Sequence, residues 1–392
     1  MKLSLTALFL GTFALGTTEF IVAGLLPSVA ADLSISVPVA GFVITAYAIG
    51  VAIGGPLLTL TLARVPPRAA LLALIAIFTL GQGVCALAPT YAVLVVARVI
   101  VAACHGAFFG IAVVLATHIV PPERSGRAVA LLLAGVTTAN VLGVPAGSAI
   151  GNLFGWRLSF WSVLVLGAIA TAAIAAWVPD SRPAQVRSSK IGEQIGWLLR
   201  PAVSLTFAVI VLSMAGQLAL FSFVVPYLTS ISNLSVDVVP WFLLIFGLGS
   251  TLGVIAGGRL ADWRLPTTLM AVLVAQVVAY LAIVAGGHSA VFMLPFALVW
   301  GFAAFAFSPA AQAKVLRDAG PAVGLASSLI PTAFNIGIAI GAAGGAALLE
   351  WSGTPELLPW AGVVASSAAV LAFAASQMLG ESAAVRPAVR LG

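Results

Sequence analysis

Charge is what this chain has least of. Its 392 residues include 17 Lys plus Arg, 11 Asp plus Glu and three His, so charged side chains make up 7%. A soluble domain carries about 25%. A soluble surface of this size cannot be covered by so few charges. Cysteine is almost as scarce, with two in the chain. Cys85 and Cys104 both fall in apolar runs and read as small apolar fillers, not as a disulfide or metal pair. No metal-ligand spacing, nucleophile elbow or phosphate-binding Gly-Lys-Ser/Thr run occurs. A membrane-embedded enzyme would need such a cluster. The chain is therefore read as a non-enzyme with no metal and no organic cofactor. A sensor with an appended soluble domain is also disfavoured, because the longest polar stretch is too short to fold alone.

What is present is apolar. The hydrophobic fraction is 62%, or about 243 residues. Twelve membrane spans of about 21 residues would use about 252. Disorder is excluded by the same abundance. The gaps between charges mark the spans. No charge lies between Asp32 and Arg64, Arg68 and Arg98, Arg127 and Arg157, or Arg200 and Asp237. The gap from Arg264 to Lys314 holds 49 residues and is split at Gly286-Gly287-His288-Ser289, so it reads as two spans and a turn. Each span must be helix, since lipid offers the backbone no hydrogen-bond partner. The expected spans are 4–26, 39–61, 69–88, 92–116, 127–150, 157–178, 202–227, 237–258, 267–286, 290–312, 322–348 and 357–379.

The bases orient these spans. With the N-terminus in the cytoplasm, one side holds Lys2, Arg64, Arg68, Arg124, Arg127, Arg182, Arg187, Lys190, Arg200, Arg259, Arg264, Lys314, Arg317, Arg386 and Arg390. That is 15 of the 17 bases, a strong positive-inside pattern. Arg157 lies outside and Arg98 falls within span four. Both termini are expected in the cytoplasm, and the lipid bilayer is the partner the +6 net charge reports. No nucleic-acid partner is expected, because the bases are spread over short segments. Span one reads as an uncleaved helix, since its run exceeds a signal peptide's and contains Glu19.

The chain divides in two. Residues 181–200 read as a cytoplasmic linker between an N-terminal six-helix bundle, 1–180, and a C-terminal one, 201–392. Internal echoes support this: Arg64 with Pro66 against Arg264 with Pro266, Asn140 and Trp156 against Asn335 and Trp351, Gly143 and Gly147 against Gly337 and Gly341. The expected fold is an all-α membrane protein, with two pseudo-symmetric halves and a site between them at the midplane.

Ionisable groups inside spans are functional candidates by default. Glu19, Arg98 and His105 are the clear cases. Glu19 lies about seven residues below the outer end of span one, about 10 Å, and Arg98 about 9 Å below the outer end of span four. His105 follows Arg98 by seven positions, on nearly the same face. The functional reading is a proton site: a carboxylate whose neighbour moves between conformations binds and releases one proton per cycle. The structural alternative is a permanent Glu19–Arg98 pair orienting two helices, and His105 is equally read as satisfied by a neighbouring group. Among neutral polar residues, Asn140, Gln217, Asn335 and Thr18 are candidate substrate contacts or, alternatively, helix–helix hydrogen bonds. Gln82 belongs to the same wider set. The aromatics Tyr47, Phe108, Phe109, Phe221, Trp241 and Phe305 are candidate cavity walls. Pro145 removes a backbone donor and is expected to kink span five. Gly143-x-x-x-Gly147 permits close helix approach, with this glycine-lined helix expected at the interface of the halves.

Several runs resemble the major facilitator superfamily over the whole chain. Arg98-Val99-Ile100-Val101-Ala102-Ala103-Cys104-His105-Gly106 looks like its Arg-x-x-x-Gly element, with Ala102 in place of Gly. Gly143-Val144-Pro145-Ala146-Gly147 is similar to its antiporter motif, and Gly155-Trp156-Arg157 accompanies it. Gly258-Arg259-Leu260-Ala261-Asp262 resembles its cytoplasmic gating motif. The first-half counterpart, ending in Arg64 and Arg68, departs from the pattern by carrying Ala63 where Asp is usual. Gly16-Thr17-Thr18-Glu19-Phe20 and the Ala103–Phe108 run look most like the drug:proton antiporter branch, near its sugar-efflux, chloramphenicol-efflux and purine-nucleoside-efflux members. The resemblance implies a monomer in the bacterial inner membrane that exports a small neutral or weakly polar compound in exchange for protons. A proton symporter or an uncoupled facilitator on the same fold is the alternative. The absence of a second buried carboxylate implies one proton per cycle and no strongly cationic substrate.

Overall fold

A computed structural model describes residues 2–180 and 191–384. Arg182, Arg187, Lys190, Arg386 and Arg390 lie outside the described residues. Among those described there is no strand. Eleven helical segments are long and apolar enough to cross a bilayer.

The first group of helices runs as α1 (Lys2–Ile21), α2 (Leu26–Asp32), α3 (Val37–Ile49), α4 (Gly55–Thr61), α5 (Pro67–Leu87), α6 (Tyr91–Ile119), α7 (Ser125–Thr138), α8 (Val144–Phe154) and α9 (Trp156–Trp177). The second runs as α10 (Ile191–Leu198), α11 (Pro201–Phe221), α12 (Val224–Ser230), α13 (Val239–Gly286), α14 (Ala290–Asp318), α15 (Val323–Ser352) and α16 (Leu358–Ala384). Local chemistry sets the starts. Ser36 and Thr90 cap α3 and α6 by accepting from Val39 N and Val93 N, both at 3.4 Å. Pro38, Pro67 and Pro201 sit in first turns, where a missing N–H is harmless.

The expected kink at Pro145 takes a particular form. A π-helical turn, Ala139–Gly143, joins α7 to α8 just before that proline. Pro145 has no N–H, and its ring would meet the carbonyl of Val141 in a regular α-helix. One widened turn relieves both. The device recurs where the sequence reading did not place it, at Gly50–Gly54 ahead of Pro56. A third proline breaks α13. Its segment 236–286 holds 51 residues, about 77 Å at 1.5 Å per residue, more than twice a hydrocarbon core of about 30 Å. Arg264 leaves helical geometry at φ −146° and ψ 78°, two residues before Pro266. Thr268 Oγ1 donates to the freed Leu260 carbonyl at 2.8 Å.

Small residues set the packing. A Cβ on Gly143 would lie 2.1 Å from Thr17 Oγ1, and one on Gly147 would lie 2.1 Å from Ile21 Cδ1. A Cβ on Gly337 would lie 2.5 Å from the Val211 carbonyl, and one on Gly341 2.3 Å from that of Ala215. The second contact set repeats the first at an offset of 194 in both partners. The kinked segment does lie where the two groups meet, packed on α13, while its Gly143 and Gly147 face α1 within the first group. What meets across the groups is Gly247 of α13, against the Asn140 carbonyl in the π turn. Further contacts between the groups run along α3 and α15, where Thr332 Oγ1 donates to the Ala52 carbonyl at 3.5 Å, and continue toward the end of the molecule that carries Asp32 and Arg157. There Gly41 faces the Phe223 ring, Gly24 faces Leu243, and Asn152 Nδ2 donates to the Val236 carbonyl at 3.2 Å.

At the opposite end, Arg68 donates to Asp180 Oδ1 at 2.7 Å and to the Ala175 carbonyl at 2.6 Å. Arg68 therefore ties α5 to the end of α9. Arg64 and Asp262 are exposed near the ends of α4 and of the first part of α13. The stretch expected as linker carries α10, whose Trp197 packs on Gly320 and under Arg200, the guanidinium 3.2 Å from the ring centre.

Candidate functional site

Two features meet near the middle of the molecule. The first is a buried polar cluster inside the first group. Arg98 of α6 is 0% exposed. Its Nη1 donates to the Thr18 carbonyl at 2.9 Å and to Thr18 Oγ1 at 2.8 Å. The Thr18 hydroxyl in turn donates to Gln82 Oε1 of α5 at 3.1 Å. The guanidinium also lies 4.0 Å from the centre of the Tyr47 ring of α3. Tyr47 OH and His105 Nδ1 are 2.8 Å apart. Four helices thus converge around one cation, whose Nη1 is bonded while Nε and Nη2 are buried without a hydrogen-bond partner among the described residues.

Glu19 stands apart from this network. The sequence places it level with Arg98, and the expected alternative was a fixed ion pair. Among the described residues no ion pair or hydrogen bond is made by Glu19; Arg98 takes Thr18, one position earlier, instead. One residue is 100° of turn on a helix, so the carboxylate points off the line that joins α1 to Arg98. Glu19 is half-buried and remains within electrostatic reach of that guanidinium.

The second feature is a narrow cleft between the two groups. It is lined by Phe20 of α1, Asn140 and Val144 of the kinked segment, Gln217 and Phe221 of α11, Leu243 and Phe246 of α13, and Phe305 of α14. Phe20 and Phe221 meet edge to face across the groups, centroids 6.3 Å apart. Phe221 stacks on Phe246 at 4.8 Å, and Trp300 backs Phe246 at 4.9 Å. Gln217 is 1% exposed and its Oε1 has no hydrogen-bond partner.

Asn140, Gln217, Phe221 and Phe305 from the sequence reading thus reach the cleft. Four others named as substrate contacts go elsewhere, and Asn335 does too. Thr18 and Tyr47 serve the Arg98 cluster. Phe108 is 0% exposed, with its ring filling the space a side chain on Gly11 would take. Trp241 is 63% exposed; it is two residues from Leu243, which turns it about 200° away from the cleft. Asn335 bonds its own helix, Nδ2 to the Pro331 carbonyl at 3.1 Å. The packing repeat is 194, whereas Asn335 follows Asn140 by 195. The extra residue rotates it by about 100°. Phe20, Val144, Leu243 and Phe246 were missed. The available signal was the run of small and aromatic residues on one face of α13, Phe242, Phe246, Gly249, Ser250 and Gly253.

A multi-pass helical membrane protein, with two groups of helices closing on a central cleft and a buried ionisable cluster beside it, has the form of a solute transporter. The model of the Major Facilitator Superfamily matches residues 8–342. The chain belongs to that superfamily, whose members here are transporters and not enzymes. Among its relatives is the inner membrane transport protein YdhP of Escherichia coli, 37% identical over 371 residues, 94% of each chain. A chloramphenicol resistance protein of Streptomyces lividans is 33% identical, covering 87% of this chain and 88% of its own. The crystal structure of the nucleoside transporter NupG superposes with a TM-score of 0.77 at 14% identity, over 96% of this chain and 99% of that one. The last shows the fold alone.

Proposed function

We propose that the chain is a proton-driven exporter of the bacterial inner membrane, working by alternating access on a small neutral or weakly polar compound. In this reading the break at Arg264 separates two crossings, which makes twelve in two halves of six, with both termini cytoplasmic. The names of YdhP and of the chloramphenicol resistance protein support the location and the outward direction. Glu19 is the proton carrier, Arg98 modulates it, and His105 acts as an accessory through Tyr47.

One observation carries the proposal. Glu19, held by no hydrogen bond, is followed directly by Phe20, which lines the cleft and touches Phe221 of the other group. A rigid helix transmits a shift of Phe20 to Glu19, so filling the cleft and charging the carboxylate are mechanically linked. Arg98, anchored on Thr18, stays with the first group and favours the carboxylate whenever Glu19 turns toward it.

The test is pH-gradient-driven uptake of substrate into inverted vesicles. Glu19→Gln should abolish gradient-driven accumulation and leave substrate exchange at equal pH intact. Accumulation at the wild-type level in that variant would remove Glu19 from the mechanism.

A further inference from the structure

We propose that a groove on the membrane-facing side of the first group seats one acyl chain of a phospholipid, and that the Asp32–Arg157 pair at its mouth selects a headgroup carrying a primary ammonium beside its phosphate. The inference is independent of how Glu19 and the central cleft work.

The groove runs between α5 and α6 and holds about 490 Å³. Its lining is wholly apolar and includes Ile77, Gly81 and Val84 of α5 with Val93, Val96 and Ile100 of α6. Its length decides what fits. The 21 residues of α5 have Ile77 at their midpoint, about 15 Å from Leu87 at the Asp32 end. That is half of a hydrocarbon core of about 30 Å. The groove therefore opens at the bilayer interface and stops at the midplane. It stops because the next turn of α6 on the same face is occupied: Ala103 follows Val96 by seven positions, and a Cβ on Gly54 of the π turn would lie 2.5 Å from it. A helix of a second copy would need a face along the whole span. A chain held at one interface and ending at the midplane is the acyl chain of one leaflet.

The mouth carries the charge. Arg157 Nη2 donates to the Ala88 carbonyl at 3.1 Å, and Ala88 continues the Ile77-Gly81-Val84 face by one turn. Arg157 Nη1 and Trp156 Nε1 both donate to Asp32 Oδ2, which leaves Oδ1 without a hydrogen bond among the described residues. A guanidinium has five N–H donors, and the bonds to Asp32 and Ala88 leave others for a phosphate. The two side chains are 38% and 44% exposed, so a headgroup can reach both. A phosphate on Arg157 and an ammonium on Asp32 Oδ1 extend the ion pair without breaking it. A quaternary ammonium has no N–H for Oδ1. An anionic glycerol headgroup brings net charge to a pair whose charges sum to zero.

Native mass spectrometry of the full chain in detergent tests this. The probes are phosphatidylethanolamine, phosphatidylcholine and phosphatidylglycerol with identical acyl chains, in equal amounts. The ethanolamine lipid should be retained about two- to fivefold above the other two, the size of an exposed ion pair. Asp32→Asn should erase that preference while lipid is still bound. Val96→Trp fills the groove from its exposed rim and should lower retention of all three. Val364→Trp, 68% exposed on α16, should match wild type. With Cys85 and Cys104 replaced by Ala, Val96→Cys should form no disulfide-linked pair of chains in membranes. The proposal is overturned if wild type retains the three lipids equally, if Asp32→Asn keeps the preference, if Val96→Trp retains as much lipid as Val364→Trp, or if Val96→Cys links two copies.

Discussion

Gly247→Ala is the sharpest perturbation available at the meeting of the two helix groups. A Cβ there would lie 2.4 Å from the Asn140 carbonyl oxygen and 2.9 Å from both Asn140 C and Val141 Cα. An ordinary carbon–oxygen approach is about 3.3–3.6 Å, so the two groups must separate locally by about 1 Å. All three atoms are backbone in the π turn beside Pro145, and none can swing aside as a side-chain tip would. Overpacking of this kind costs about 1–3 kcal/mol. That penalty applies only to conformations in which Gly247 meets Asn140, so it shifts the balance toward conformations in which they part by about 5–150-fold. The shift is read by pulsed electron resonance with labels at Leu153→Cys on α8 and Ser230→Cys on α12. The two sites belong to different groups at the Asp32 end, and the native Cys85 and Cys104 are replaced by Ala. Gly344→Ala is the control, because a Cβ there meets nothing within 4 Å. Gly247→Ala should add a longer-distance population absent from wild type and from the control. Identical distance distributions in all three would refute the view that this backbone contact limits how the groups close.

Two further outcomes follow from the first group. Thr18→Val keeps shape but takes the 2.8 Å partner from Arg98 and the sole donor from Gln82 Oε1. Hydrogen bonds within membrane bundles contribute about 0.6 and at most about 1.7 kcal/mol, so with two affected, a loss of about 1–2 kcal/mol is expected in unfolding measurements. Combining it with Gln82→Leu should cost less than the sum of the two changes; strict additivity would mean the three groups are not one network. Outside the spans, the Arg157 guanidinium hydrogen-bonds Asp32 and holds its carboxyl below the ordinary 3.8. A lowered value in the folded state means that the stabilisation is complete above pH 3.8 and is lost as pH falls through the folded value. Melting temperature should therefore drop below about pH 4 in wild type, with that component missing in Asp32→Asn. Equal acid sensitivity in the two would place the effect elsewhere.

How far the sequence could be read depended on whether a property is a matter of depth or of rotation. Depth follows from counting residues along a helix of known rise. Glu19, Arg98 and His105 were legible as ionisable groups within the spans for that reason, and so were most spans, since charge cannot sit at the bilayer centre without cause. Rotation about the helix axis depends on which neighbour a face packs against, and a single residue turns it by 100°. Arg98 therefore lands on Thr18 and not on Glu19, Trp241 points out where Phe246 points in, and Asn335 misses the cleft that Asn140 reaches. The repeat made the last error avoidable. Glycine contacts recur at 194, because close approach fixes rotation as well as depth, whereas a match between two asparagines fixes neither. The separation of Glu19 from Arg98 has the same origin and matters most. A permanent pair would be satisfied in every conformation and would bind no proton in turn. In the scheme proposed above, a carboxylate one residue out of phase with its cation answers instead to Phe20, and through it to whatever fills the cleft.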